Sequence, residues 1–162
     1  MQTPTLTPTM TRSTATPDVN VVVAAFRGDH AHHATARDWL TAQLHAGQSG
    51  ARLLLLPMVC TSFVRLVTHP RIFDTPATAD EAFDFLDALL AQPGCEMPSA
   101  RAAWPMFAAL CRGKALSANA VPDAWIAAAA RALGTHLITF DRDFARLLEP
   151  HEFTRLKPRD PH

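Results

Sequence analysis

Leu53 to Leu56 is an unbroken run of four leucines set between Arg52 and Pro57. The run is too short for a helix and too uniform for a strand with one wet face. It therefore reads as a strand, residues 52–56, buried on both sides as in a parallel sheet. Pro57 suits the first turn of a following helix, where its missing N–H costs nothing. That helix carries Phe63, Val64 and Val67 and ends before His69-Pro70, because the residue before a proline is driven out of the helical region. A strand of this kind constrains the whole chain. Its parallel neighbours can be reached only by long crossovers, and those are usually helices.

The other segments supply them. Residues 30–46 read as a helix with Trp39, Leu40 and Leu44 inward and Gly47 as its stop. Thr78-x-x-Glu81 is a capping box, and the helix it opens, 79–91, places Ala82, Phe85, Leu86, Leu89 and Leu90 at helical spacing. Pro93-Gly94 ends it. A short strand at 95–97 and a helix at 104–112 follow, with Pro105 in the helix's first turn. Pro122 opens a helix over 123–133 that stops at Gly134. Residues 136–140 read as a strand, 142–148 as a short helix and 153–156 as a last strand. Near the start, Val21, Val22 and Val23 give residues 19–26 strand propensity. Strands alternating with helices predict an α/β domain with a mainly parallel sheet. The expected division is a leader rich in Thr and Pro at 1–16, one domain at 17–157 and a tail at 158–162.

Composition removes several alternatives. At 162 residues, 48% hydrophobic and 19% charged, the chain is one globular domain able to bury its own core. Its formal net charge is zero, so nucleic acid would be met by local contacts and bound cations, not by a basic face. No apolar run reaches the ~18–20 residues that span a bilayer. The leader has no apolar core of a secretory signal. Cys60, Cys95 and Cys111 are odd in number and lack a C-x-x-C spacing, which reads as reduced thiols of a cytoplasmic protein. No Ser/His/Asp signature, phosphate-cradling glycine loop or zinc spacing is present.

The acids carry the chemistry. Ligands of open α/β sheets bind at the carboxyl ends of the strands. Asp141 ends the 136–140 strand, Asp143 lies two residues on, and Asp123 lies in the first turn of the preceding helix. Clustered carboxylates repel one another as water is excluded. A hard divalent cation offsets that repulsion and, with few protein ligands, leaves room for water and phosphate. Such a site cleaves phosphodiesters by activating water and stabilising the charge that develops. Taken singly, each acid is more often a helix-start or turn residue.

Three motifs in order change that balance. Asp18-Val-Asn20, Asn119-Ala-Val-Pro-Asp123-Ala-Trp-Ile-Ala-Ala and Thr139-Phe-Asp141-Arg-Asp143-Phe resemble the PIN-domain ribonucleases, the VapC toxins of bacterial toxin–antitoxin pairs above all. The segments Ser62-Phe-Val-Arg65-Leu-Val-Thr-His-Pro70 and Asp29-His-x-His-His are similar to one VapC subgroup. The resemblance runs from about Asp18 to Leu147. It implies a three-layer α/β/α fold around a central parallel sheet, Mg²⁺ or Mn²⁺ as cofactor and an RNA phosphodiester as substrate. It further implies 5′-phosphate and 3′-hydroxyl products, a cognate antitoxin that masks the site, and frequent homodimers. Carried over by motif, Asp18, Asp123 and Asp141 are the catalytic, metal-binding acids, with Asp143 a further metal-site acid. Asn20 and Asn119 are polar supports.

Two features depart from the pattern. The resemblance makes 19–26 a helix and moves the first strand to the polar stretch 12–17, against propensity. It also places a glutamate where Ser62 stands, and no acid lies between Pro57 and Ile72. One firmly held Mg²⁺ is therefore expected, with Ser62 contributing at most through water. Arg65, on the same helix, reads equally as a phosphate clamp, an anchor for a site carboxylate or a surface ion pair. His30, His32 and His33 read as a solvated helix start, because only the i, i+3 pair shares a face. Arg71, Arg142 and Arg146 read as solvated charge, and Trp104 and Trp125 as core packing. The alternatives to a toxin are a PIN nuclease of RNA processing and a catalytically weak PIN-like binding module. A phosphatase-like hydrolase lacks its signature loop.

Overall fold

The computed structural model describes residues 13–159. Most of the expected leader, 1–12, and the last three residues of the expected tail lie outside the described residues.

The first strand, β1 (Thr14–Pro17), takes in the end of the expected leader. It is short and polar in sequence, yet Ala15, Thr16 and Pro17 are buried. Position explains this: β1 is the central strand of a five-stranded sheet. It is joined by β2 (Arg52–Leu54), β3 (Cys95–Glu96), β4 (His136–Thr139) and β5 (Phe153–Arg155) in the order β3-β2-β1-β4-β5, every pair parallel. The leucine run behaves as its composition demands, with Leu53 to Leu56 all buried, although the strand itself ends at Leu54. Gly94, left-handed at φ +79°, lets the chain enter β3 beside β2, since a side chain there would collide with the Ala51 carbonyl.

Residues 19–26 follow the topology the resemblance implies, a helix after a short first strand, and not their strand propensity. They form α1 (Val19–Phe26), capped by Asp18, whose side chain accepts a hydrogen bond from the Val19 N–H. Propensity fails here because packing outweighs it: Val21 to Ala25 are all buried, so the short helix is apolar nearly all round. α1 packs against α2 (His33–Gly47) and α3 (Pro57–Val67), and α3 against α4 (Ala79–Leu90). The Thr78–Glu81 capping box is present in both directions. A second group pairs α5 (Trp104–Gly113) with α6 (Ala120–Leu133). Right-handed crossovers put the two groups on opposite faces, because the sheet order reverses between β3 and β4. The result is the three-layer α/β/α domain that was expected.

The core is built around Phe63, Phe144, the leucine run, Leu137 and Ile138. Phe63 meets Phe26 edge-on at 5.3 Å and Phe85 at 5.6 Å. Some boundaries shift. α6 begins a turn earlier than expected, with Pro122 inside that turn, and ends at Gly134 in the left-handed conformation. The expected helix at 142–148 is a single stretch of 3₁₀-helix, Arg142–Arg146. Trp104 is a correction: it is 62% exposed, not core. No residue of α5 is buried, and Trp104 rests on the surface against Phe107 and Trp125. No helix among the described residues is long and apolar enough to cross a membrane.

Candidate active site

The strand order reverses direction at β1, so a crevice opens at the carboxyl ends of β1 and β4. Register puts the acids there. Pro17 pairs with Ile138, so Asp18 emerges beside Thr139, and the Asp18 N–H donates to the Ile138 carbonyl at 2.8 Å. Asp141 leaves the end of β4 two residues later. α6 brings Asp123 over the same opening from its first turn. All three line one cleft of about 430 Å³ with Val19, Asn20, Val23, His30, Leu66, Ile72 and Phe73.

One buried hydroxyl organises the acid wall. Thr139 Oγ1 donates to Asp18 Oδ2 at 2.7 Å. It accepts from the Asp141 backbone N–H at 2.9 Å and from Asn20 Nδ2 at 3.3 Å. Asn20 Oδ1 in turn accepts from the Phe140 N–H at 3.3 Å. The start of α1 and the end of β4 are thereby tied together through side chains 119 to 121 residues apart. Asn20, expected as a polar support, makes two of these bonds. Thr139 opens the third motif, yet its residue type alone does not mark it as part of the site. The available signal was its position at the end of a buried strand, two residues before an acid, where a hydroxyl can only be retained if it is bonded.

The carboxylates differ in environment. Asp18 is 6% exposed. Burial raises its pKa most, its bonds to Thr139 and Val19 oppose the rise, and Asp141 adds to it. Asp123 is half-buried and accepts no hydrogen bond among the described residues. Its pKa is raised from 3.8 to about 6, first by burial and then by Asp18, Asp141 and Asp143. Asp141 Oδ1 accepts from the Asp143 N–H at 2.8 Å, and Asp143 is exposed beyond it.

The remaining expected residues separate. Asn119 is exposed at the start of α6, four residues before Asp123, and its side chain makes no capping bond. Ser62 is half-buried on α3, one turn from Leu66, which lines the cleft. Arg65 is not brought to the acids. It lines an apolar groove between α3 and α4 with Val64, Phe83 and Leu86, because one helical step turns it away from Leu66. His30, expected on a solvated surface, lies in the cleft instead.

A divalent cation suits this donor set. None of Asp18, Asp123, Asp141 and Asp143 pairs with Lys or Arg among the described residues. Among those residues no cationic side chain offsets their mutual repulsion, which only hydrogen bonds to Asp18 and Asp141 oppose. Among the same residues no three His, Cys, Asp or Glu side chains close into a ready-made shell. Mg²⁺ does not require one, since it takes one or two carboxylates and completes its octahedron with water and substrate phosphate. Oxygen-only ligands around an open cleft fit that demand.

An open parallel α/β domain with a carboxylate cluster at its topological switch point is the class of protein that this fold and cleft define. The chain belongs to the PIN-domain family, whose pattern matches residues 15–149. It is 38% identical over 131 residues to Ribonuclease VapC31 of Mycobacterium tuberculosis, covering 80% of this chain and 89% of that one. To Ribonuclease VapC43 of the same organism it is 33% identical over 145 residues, covering 89% and 92%. In fold it is similar to a chain of VapBC2 from Rickettsia felis, solved bound to a DNA fragment of its promoter. That match has a TM-score of 0.62 at 15% identity and covers 89% of this chain and 99% of that one.

Proposed function

We propose that the chain is a metal-dependent endoribonuclease of the toxin type, hydrolysing RNA phosphodiester bonds and neutralised by a cognate antitoxin. The observation that carries the reading is the convergence of Asp18, Asp123 and Asp141, far apart in sequence, on one cleft with no Lys or Arg paired to them among the described residues. The VapC ribonuclease names of its relatives and the VapBC assembly of a structural neighbour support it.

Asp18 and Asp123, helped by Asp141, would hold one Mg²⁺ or Mn²⁺, with Asp143 in reserve and Ser62 contributing at most through water. When bound, the ion polarises phosphate and lowers the pKa of a coordinated water. The residues do the rest. Thr139 and Asn20 fix Asp18 and the start of the Asp141 turn, so the acids need not reorganise when substrate arrives. Asp123, which has no other partner, is free to take a water or an ion. Leu66, Ile72 and Phe73 give the cleft an apolar side opposite its acids.

The test is cleavage of an RNA panel by the purified chain with Mn²⁺, with EDTA, and after Asp123→Asn. Cleavage that needs both metal and Asp123, leaving 5′-phosphate ends, is the expected result. No cleavage of any RNA, or cleavage undiminished in EDTA, overturns it. Expression without the antitoxin is expected to arrest growth, and Asp123→Asn to relieve the arrest.

A further inference from the structure

An acid cleft has an unmet requirement if its ligand is a polyanion. A metal ion can satisfy one phosphate oxygen, but the other non-bridging oxygen needs a donor. Asp18, Asp123 and Asp141 offer only acceptors when ionised. The Asn20 side chain, the cleft's other polar group on that wall, has its carbonyl committed to Phe140 and one of its two N–H donors to Thr139, which fixes its orientation. One polar side chain of the lining remains, His30.

The loop holding His30 is fixed on several sides. Arg27 forms a two-pronged ion pair with Asp29, donates to the Thr75 carbonyl at 2.8 Å and lies over the Phe73 ring at 4.2 Å. His33 Nδ1 bonds the Ala24 carbonyl at the end of α1, 2.8 Å away. His32 stacks on Phe140 with ring centroids 4.7 Å apart. Within this frame the His32 backbone N–H donates to His30 Nδ1 at 3.0 Å. A nitrogen that accepts has no proton, so in the neutral ring the proton sits on Nε2. His30 Nε2 makes no hydrogen bond among the described residues. Burial first, and then the neighbouring His32, lower the pKa of the ring, with Asp29 acting against them.

We propose that His30 is a substrate-binding residue of the cleft, its Nε2–H donating to a phosphate oxygen of the RNA backbone beside the acids. The inference rests on the ribonuclease reading above. It makes the Asp29-His-x-His-His segment a tautomer-setting clamp: His32 and His33 hold the loop, and His30 presents the donor.

Two substitutions separate a donor from a structural ring. Asn at position 30 can keep the acceptor for the His32 N–H and loses the distal donor. Gln can place an N–H near the Nε2 position and loses that acceptor. Wild type, His30→Asn and His30→Gln are to be compared by steady-state cleavage of several RNA oligonucleotides with Mn²⁺, and by thermal melting. The expected result is that His30→Asn melts with wild type but loses about tenfold or more in kcat/KM, mainly through KM, by an equal factor for every sequence. His30→Gln recovers most of the loss. Wild-type cleavage by His30→Asn, a loss confined to one RNA sequence, or equal losses in both variants with lowered melting temperatures overturns the inference. Absence of cleavage by the wild type overturns the ribonuclease reading and, with it, this one.

Discussion

Asp123→Asn removes a charge that the metal-free fold holds at a cost, so it is expected to stabilise the protein while silencing it. The Asp123 carboxyl has its pKa raised to about 6 from an ordinary 3.8. A native state that holds its proton more tightly than the unfolded chain is favoured at low pH. The stability that this proton contributes is therefore present below about pH 4 and lost as the pH rises through about 6. A shift of about two units at ~1.36 kcal/mol each sets a ceiling of roughly 3 kcal/mol. Asp123 is partly exposed and water screens it, so about half that, ~1–2 kcal/mol, is the working figure. Asparagine has the same shape and no charge, and Asp123 has no hydrogen bond to lose. In EDTA at about pH 8 the variant is expected to melt roughly 3–6 °C above wild type, and the gap is expected to close toward about pH 4. Saturating Mn²⁺ is expected to raise wild type and not the variant, because the ion binds only the native acid cluster. A variant less stable than wild type at about pH 8, or a gap indifferent to pH, would refute the argument from burial and repulsion.

Three further outcomes follow from the packing. Thr139→Val leaves the Asp18 carboxylate and the Asp141 N–H without their partner, and is expected to cost about 1–3 kcal/mol in urea denaturation and most of the cleavage activity. Phe63→Ala empties the centre of the Phe26–Phe63–Phe85 cluster, and is expected to cost about 3–5 kcal/mol by the same measurement. Glu152 takes both ends of the Arg131 guanidinium at 2.7 and 2.8 Å, which lowers its pKa to about 2. Glu152→Gln is therefore expected to cost about 1 kcal/mol near neutral pH. That difference, present above the ordinary value of 4.5, is expected to shrink as pH falls toward about 2.

How much of this was readable without coordinates depends on whether local chemistry or tertiary contact decided each element. The leucine run, the Thr78–Glu81 box and the Gly134 stop are local: burial on two faces, reciprocal capping and a left-handed residue leave little choice. Val21 to Val23 went the other way. Their strand propensity is a matter of tenths of a kcal/mol per residue, while burying them in α1 is worth about 1.5–3 kcal/mol each. Trp104 misled for a related reason, since helical spacing says which residues share a face and not which face is inward. For the site, the ordered motifs carried the three aspartates. Thr139 and His30 were less legible, because a hydroxyl and an imidazole acquire their contacts from partners brought in by β1–β4 pairing and by the loop after α1.

The Thr139 hydroxyl also decides how this enzyme can be switched off cleanly. It has one proton and two lone pairs, and all three are committed: the proton to Asp18, the lone pairs to Asn20 and Asp141. Asp18 meets a donor at each oxygen, Val19 N–H on one and Thr139 on the other. An amide there must aim its NH₂ at one of those donors, and Thr139 has no lone pair left with which to turn and receive it. Asp18→Asn, the obvious charge-removing mimic, is thus expected to disturb folding whatever it does to cleavage. A loss of growth arrest in Asp18→Asn cannot by itself be read as lost chemistry. At Asp123, where nothing donates among the described residues, the same exchange changes only the charge, and that is the position from which to build an inert form with which to test for the proposed RNA and antitoxin.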